Sequence, residues 1–179
     1  NKAFNELGSE KCMNTLLNSP GNFTASKLAW VKQNLPNIYN KVYKFMLPGD
    51  YLAFKLSGEV STTISGLSEG IFWDFKKNSI AEHLFDYYGI DQSLCPNIVD
   101  NFKEQSFTNK KAHDETGLPL NIPIRYRGGD QPNNALSLNI LNPGEVAVTA
   151  GTSGVIYAIS DKLKSKESLR INNFAHINY

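Results

Sequence analysis

Cysteine is scarce, with Cys12 and Cys95 the only two in 179 residues and no Cys-x-x-Cys pair. Neither a disulfide framework nor a cysteine-rich zinc site can organise such a chain, and a reducing, cytoplasmic setting is expected. Long apolar runs are missing as well: nothing approaches the ~18–20 residues that cross a bilayer. Charge of one sign is not in excess, since 18 Lys+Arg against 17 Asp+Glu leave +1. A strongly basic nucleic-acid surface and a polybasic membrane patch are therefore not expected. His83, His113 and His176 are too far apart for metal-ligand spacing. There is no GxxxxGK[ST] phosphate loop. The start, Asn1-Lys2-Ala3-Phe4-Asn5-Glu6, has no initiator Met, basic-apolar leader or small-residue cleavage site. The expectation is a processed or excised chain without a signal peptide.

What is present suffices for a core. Hydrophobic residues make up 41% of the chain, slightly under the usual ~45–50%. The length suggests one domain with an appendage. Residues 2–17 read as one helix, with Phe4, Leu7, Cys12, Leu16 and Leu17 on an apolar face. Ser19-Pro20-Gly21-Asn22 is turn chemistry. Thr24 is placed to cap a helix over 25–35, and a further helix is expected over 37–45. A helix over 50–56 should close on Gly58 in the left-handed conformation. Residues 61–70 are polar and β-branched and precede an extended, buried segment over 71–75. Helices are expected over 80–88, closed by Gly89, and over 110–116, stopped by Gly117. Trp30 and Trp73 read as core anchors.

The second part changes character. Residues 122–126 are strand-like and lead into Gly128-Gly129-Asp130-Gln131, then a helix over 133–141. Apolar residues then alternate on both sides of Gly151-Thr152-Ser153-Gly154, which predicts strand–turn–strand. Residues 161–168 are charged and connecting, and 174–179 read as a last strand. Strands mixed with helices in this order give an α/β or α+β fold.

Two runs are candidates for chemistry. In Gly128-Gly129-Asp130-Gln131 the glycines permit a tight turn and close approach of a ligand. The carboxylate can accept a proton, grip a hydroxyl or simply cap the following helix. Gly151-Thr152-Ser153-Gly154 offers converging N–H and hydroxyl donors suited to phosphate oxygens, or it is an ordinary hairpin turn. It is not a GxSxG nucleophile elbow.

Taken together and in order, the motifs resemble the FGGY carbohydrate kinases, above all the branch that phosphorylates xylulose. Asn22-Phe23-Thr24-Ala25-Ser26-Lys27-Leu28-Ala29-Trp30 looks like GFTAPKLLW, departing at Asn22 and Ser26. Leu47-Pro48-Gly49-Asp50-Tyr51-Leu52 and the following residues to Glu59 look like LPKDYLRYRLTGE. Ser65-Gly66-Leu67-Ser68-Glu69-Gly70 and Trp73-Asp74-Phe75 resemble D-x-S-x-A-S-x-T…D-F, with Thr62 or Thr63 where the first Asp stands. Gly128-Gly129-Asp130-Gln131 matches part of G-x-G-D-[NQ]. Pro143-Gly144-Glu145 and Gly151-Thr152-Ser153-Gly154-Val155 are similar to PGE…GTSGV.

The resemblance implies an α/β chain, a fragment of a ribonuclease H-like, actin-like ATPase domain with a helical insertion. Residues 1–160 would be the later part of the N-terminal, sugar-binding domain. Residues 161–179 would be a linker and the start of the C-terminal, ATP-binding domain. The family's D-x-G-T motif and its adenosine-binding Gly-rich region are not in the sequence, so the chain is expected to be an excised, catalytically inactive piece of a longer kinase. The reaction implied is ATP-dependent phosphorylation of D-xylulose to D-xylulose 5-phosphate. Ribulose, fuculose, rhamnulose, gluconate and glycerol are the alternative substrates, and an inactive module is the alternative of another class. Asp130 takes the place of the catalytic base and sugar ligand, and Gln131 that of a second sugar ligand. Gly151, Thr152 and Ser153 fall on the turn that grips the nucleotide's transferred phosphoryl group. Mg²⁺ would arrive on ATP, with no metal ligands assigned in this chain. The full-length protein would be a cytoplasmic homodimer that binds a small sugar and ATP and neither nucleic acid nor membrane.

Overall fold

The structure is a computed structural model that describes residues 2–152, 154–163, 167 and 170–179. The expected first helix is two: α1 (Lys2–Leu7) and α2 (Ser9–Thr15). Gly8 lies between them at φ 90°, a conformation open chiefly to glycine, and redirects the chain. Helix α3 (Thr24–Asn34) begins at Thr24 itself, so Phe23 rather than Thr24 is the cap residue. It buries the small residues Ala25 and Ala29 because it approaches the backbone closely, with Ala25 N–H donating to Gly70 O at 3.1 Å. Trp30 falls off that face and is 57% exposed, so it is not a core anchor. Helix α4 (Pro36–Tyr39) is a single turn. The chain then leaves helical geometry, and Phe45 enters the core instead of completing a helical face.

Helix α5 (Pro48–Ser57) starts before the expected 50, with proline in its first turn, and ends as expected on Gly58, at φ 82°. Strand β1 (Ser61–Thr62) follows, then helix α6 (Ile64–Glu69), which sequence reading missed. Its Ser- and Gly-rich sequence is a poor helix former. Burial of Leu67 and a cap, Thr63 Oγ1 accepting from Gly66 N–H at 3.1 Å, override that propensity. Strands β2 (Trp73–Asp74) and β3 (Ser79–Ile80) form a short hairpin before helix α7 (Glu82–Tyr88). After a single 3₁₀ turn come β4 (Asn97–Ile98), β5 (Ser106–Phe107), helix α8 (Lys110–Thr116) and β6 (Pro123–Ile124). Helix α9 (Asp130–Ser137) and strands β7 (Val146–Ala150) and β8 (Gly154–Ala158) complete the order.

Among the described residues the strands form four two-stranded pairs. β1 with β4 is parallel; β2 with β3, β5 with β6, and β7 with β8 are antiparallel. No helix among the described residues is long and apolar enough to cross a membrane.

The core gathers around Leu67, Ile71, Phe72, Leu84 and Phe85, each at most 1% exposed. Phe72 stacks on Phe45 at 4.4 Å between centroids and leans on Phe85 at 5.1 Å. Residues 174–179 return to this core, but not as a strand. Side chains rather than a neighbouring strand satisfy their backbone. Asn18 holds Asn173 through the Asn173 N–H (2.9 Å), Ser68 Oγ accepts from Ala175 N–H (2.7 Å), and Asn101 donates to Ile177 O (2.7 Å). An extended segment tied at separated points needs no ladder.

Phe72→Ala should cost about 3–5 kcal/mol of unfolding free energy and Phe72→Leu distinctly less. Chemical denaturation reads the difference, and equal, small losses would show that this ring does not anchor the core.

Candidate functional site

The loop from Tyr126 to Asp130 is braced from within. Tyr126 stacks on Phe102 (centroids 5.2 Å apart) and donates its hydroxyl to Asn133 Oδ1 at 2.7 Å. Asn133 in turn donates through Nδ2 to Gly128 O (2.9 Å) and Gly129 O (2.8 Å). A Cβ at Gly128 would collide with the Tyr126 hydroxyl and press on Ile177. Gly129 has an ordinary extended backbone, φ −68° and ψ 171°. A Cβ there would overlap the carboxylate of Glu69, from the end of α6, so any side chain at 129 would displace that carboxylate.

Beneath this loop lies a buried ion pair. Arg127 and Asp50 are 8% and 3% exposed, with Nε 3.5 Å from Oδ1. Arg127 Nη2 also donates to Ser61 Oγ at 2.6 Å. Burial pushes the Asp50 carboxyl up from its ordinary value, against the pull of Thr62 and Arg127, and pushes the Arg127 guanidinium down. Removing one partner of such a pair is costly because it leaves a buried charge alone. Glu69 is half-buried, and its Oε1 has no hydrogen-bond partner. Desolvation lifts its pKa to about 7, opposed by the Gly129 N–H and aided by the charges of Asp130 and Asp50.

Asp130 itself is exposed and opens α9. It does not cap the helix, because the cap position is Gly129, and Asp130 Oδ1 accepts from the adjacent Gln131 N–H at 2.8 Å. Gln131 sits on the same turn, half-buried, and its side-chain amide makes no hydrogen bond among the described residues. The structure therefore brings Asp130 and Gln131 together at one helix end.

Gly151 and Thr152 lie exposed at the tip between β7 and β8, and Ser153 lies outside the described residues. Among the described residues no hydrogen bond or ion pair joins Gly151 or Thr152 to Asp130 or Gln131. The Pro143-Gly144-Glu145 run has a local explanation. Glu145 Oε2 accepts from the N–H groups of Leu141 (2.7 Å) and Asn142 (2.8 Å) and closes the turn into β7. Thr63, one of the two threonines where the resemblance places an Asp, supplies the cap of α6, a role either residue type performs. A cavity of about 290 Å³ lies elsewhere, between Ser65, Asn101, Phe102, His176 and Tyr179, and no sequence-predicted site residue lines it.

Glu69, Tyr126, Arg127 and Asn133 were not singled out from sequence. One signal was available for Arg127, which occupies the first glycine of the G-x-G-D-[NQ] pattern. For Glu69 there was none, because its partner Gly129 is remote in the chain.

Comparison with known proteins gives a consistent picture. The N-terminal domain profile of the FGGY family of carbohydrate kinases matches residues 7–137. Xylulose kinase of Staphylococcus xylosus is 31% identical over 154 residues, covering 86% of this chain and 32% of that protein. Xylulose kinase of Escherichia coli (strain K12) is 26% identical over 157 residues, covering 88% and 32%. The crystal structure of xylulose kinase from Rhodospirillum rubrum superposes with a TM-score of 0.85 at 24% identity, covering 92% of this chain and 34% of that one. Glycerol kinase of Plasmodium falciparum, solved with ADP, superposes at 0.75 with 22% identity, covering 87% and 32%. These likenesses give the fold as the ribonuclease H-like, actin-type α/β fold of sugar kinases. The chain spans about a third of the length of the curated relatives it matches.

Glu69 makes stability depend on pH. Its folded pKa of about 7 lies above the ordinary 4.5, so the folded state holds the proton more tightly. Its contribution is fully present below the ordinary value and is lost as pH rises through about 7. Asp50 acts in the same direction. Denaturation of wild type and Glu69→Gln across this range should show wild type losing up to about 3 kcal/mol relative to the variant. Parallel curves would mean that Glu69 titrates like a solvated carboxyl.

Proposed function

Because this chain belongs to the FGGY family of carbohydrate kinases, we propose that it is the sugar-binding part of an ATP-dependent kinase that converts D-xylulose to D-xylulose 5-phosphate. The observation that carries the reading is Asp130: an exposed carboxylate at a helix start, on a loop braced by Tyr126 and Asn133, with Gln131 beside it. The xylulose kinases among its relatives support the choice of sugar.

In this reading Asp130 accepts the proton of the attacking sugar hydroxyl. An ordinary carboxylate, with a pKa near ~3.9, is too weak a base to deprotonate a free hydroxyl in the ground state. It takes the proton late, once the oxygen–phosphorus bond is forming in a loose transition state and the bond to the departing ADP oxygen is breaking. Before that, its contribution is to hold the hydroxyl in line. Gln131 hydrogen-bonds a neighbouring hydroxyl. Gly151, Thr152 and Ser153 donate to the transferred phosphoryl group where negative charge concentrates. Among the described residues no group of three or more His, Cys, Asp or Glu is placed to hold a metal ion. In this reading Mg²⁺ would arrive on ATP, held chiefly by groups outside this chain.

In this reading residues 1–160 would be the later part of the sugar-binding domain, and 161–179 a linker and the start of the ATP-binding domain. The full-length protein is proposed to be a cytoplasmic homodimer. The isolated 179-residue chain should show no ATP turnover with any sugar, since most of the nucleotide site belongs to the remaining length of the family.

In the full-length kinase, Asp130→Asn should lower kcat by about 10²–10⁴ and leave nucleotide affinity unchanged. A kcat close to wild type would reduce Asp130 to a structural residue. Assay of a panel of ketoses and polyols should show the highest kcat/KM with D-xylulose, and a clear preference for another sugar would overturn the substrate.

A further inference from the structure

Glu69 is held in an unfavourable setting. Its Oε1 is buried without a partner, and its carboxyl fills the space where any other residue at 129 would place a Cβ. The charges that face it are negative: Asp130 from α9 and Asp50 from α5. The hydroxyls of Tyr126 and Tyr157 feel its charge in turn. The nearby cation, Arg127, is paired with Asp50. A glutamine or an aliphatic side chain would occupy the same space with less electrostatic cost. A buried polar atom without a partner, beside the residue read as the base, points toward function.

We propose that Glu69 is the positioning residue of Asp130, acting through the Gly129 backbone and through its own charge. The inference rests on the reading of Asp130 as the base. Contact with Gly129 fixes the peptide that leads into Asp130 and so sets the direction of that carboxylate. The second effect is electrostatic. When Glu69 ionises, it places a negative charge beside Asp130 and makes Asp130 hold a proton more tightly. A base that binds its proton better accepts it more readily in the transition state. Glu69 therefore raises the base strength of Asp130 as pH climbs through neutrality, without itself touching the substrate.

The test uses the full-length kinase, with Glu69→Gln as an isosteric, uncharged variant and Glu69→Ala as a truncation. Wild-type kcat should rise through about pH 7, where Glu69 ionises. Glu69→Gln should match wild type on the acid side, lose that rise, and fall about threefold or more below it on the alkaline side. Glu69→Ala should lower kcat at every pH while KM for ATP changes little. A carboxyl-carbon NMR titration of the same proteins reads the coupling without turnover: Asp130 should show a second inflection that tracks Glu69, and Glu69→Gln should abolish it. Superimposable pH profiles together with an Asp130 titration indifferent to Glu69→Gln would overturn the inference. If Glu69→Ala does not fold, the glutamine variant and the titration still decide. A wild type that phosphorylates no sugar would overturn the proposed function, while the titration would still report on the coupling.

Discussion

Burial of the segment from Leu67 to Phe75 is the constraint on which the rest of this molecule leans. Leu67, Ile71, Phe72, Trp73 and Phe75 are all buried. The backbone around them serves the surrounding elements. Gly70 O receives α3 through Ala25, Phe72 O receives the start of α7 through Ala81, and Phe75 N–H donates to Thr15 O at the end of α2. Ser68 ties down the returning chain at Ala175. The same turn that carries Leu67 inward carries Glu69 against Gly129. The apolar core and the candidate site are thus set by one short stretch.

That arrangement explains how the described residues, whose strands form only two-stranded pairs, hold together. Hydrogen-bonded ladders are short, so side-chain amides and hydroxyls carry connections that a larger sheet would supply. Asn18, Ser68 and Asn101 each satisfy a backbone group of the last residues. Buried polar groups used this way make contacts specific as well as cohesive, because each has a defined partner.

Local chemistry was legible in the sequence and remote chemistry was not. Gly58 and Gly117 end α5 and α8 in the left-handed conformation, and β7 and β8 pair across Gly151-Thr152 as their alternation predicts. Asp130 was singled out because it sits in a recognisable run, and the structure sets it at the start of α9 beside Gln131. Helix α6 was missed because its burial, not its composition, makes it helical. Trp30 was misread because α3 packs through alanines rather than through its largest side chain. The terminal segment looked like a strand because its residues suit extended structure, but its partners are scattered side chains. Glu69 and Arg127 act through residues far away in the chain, so no window of sequence contains both halves of either interaction.

The carboxylate over Gly129 has a consequence for how such a chain can vary. A side chain at position 129 would push the Glu69 carboxylate off the loop, and a shorter residue at position 69 would leave that space open. Seen through descent, the coupling runs one way: a shorter residue at 69 meets no obstacle from Gly129, whereas a side chain at 129 displaces the acid at 69.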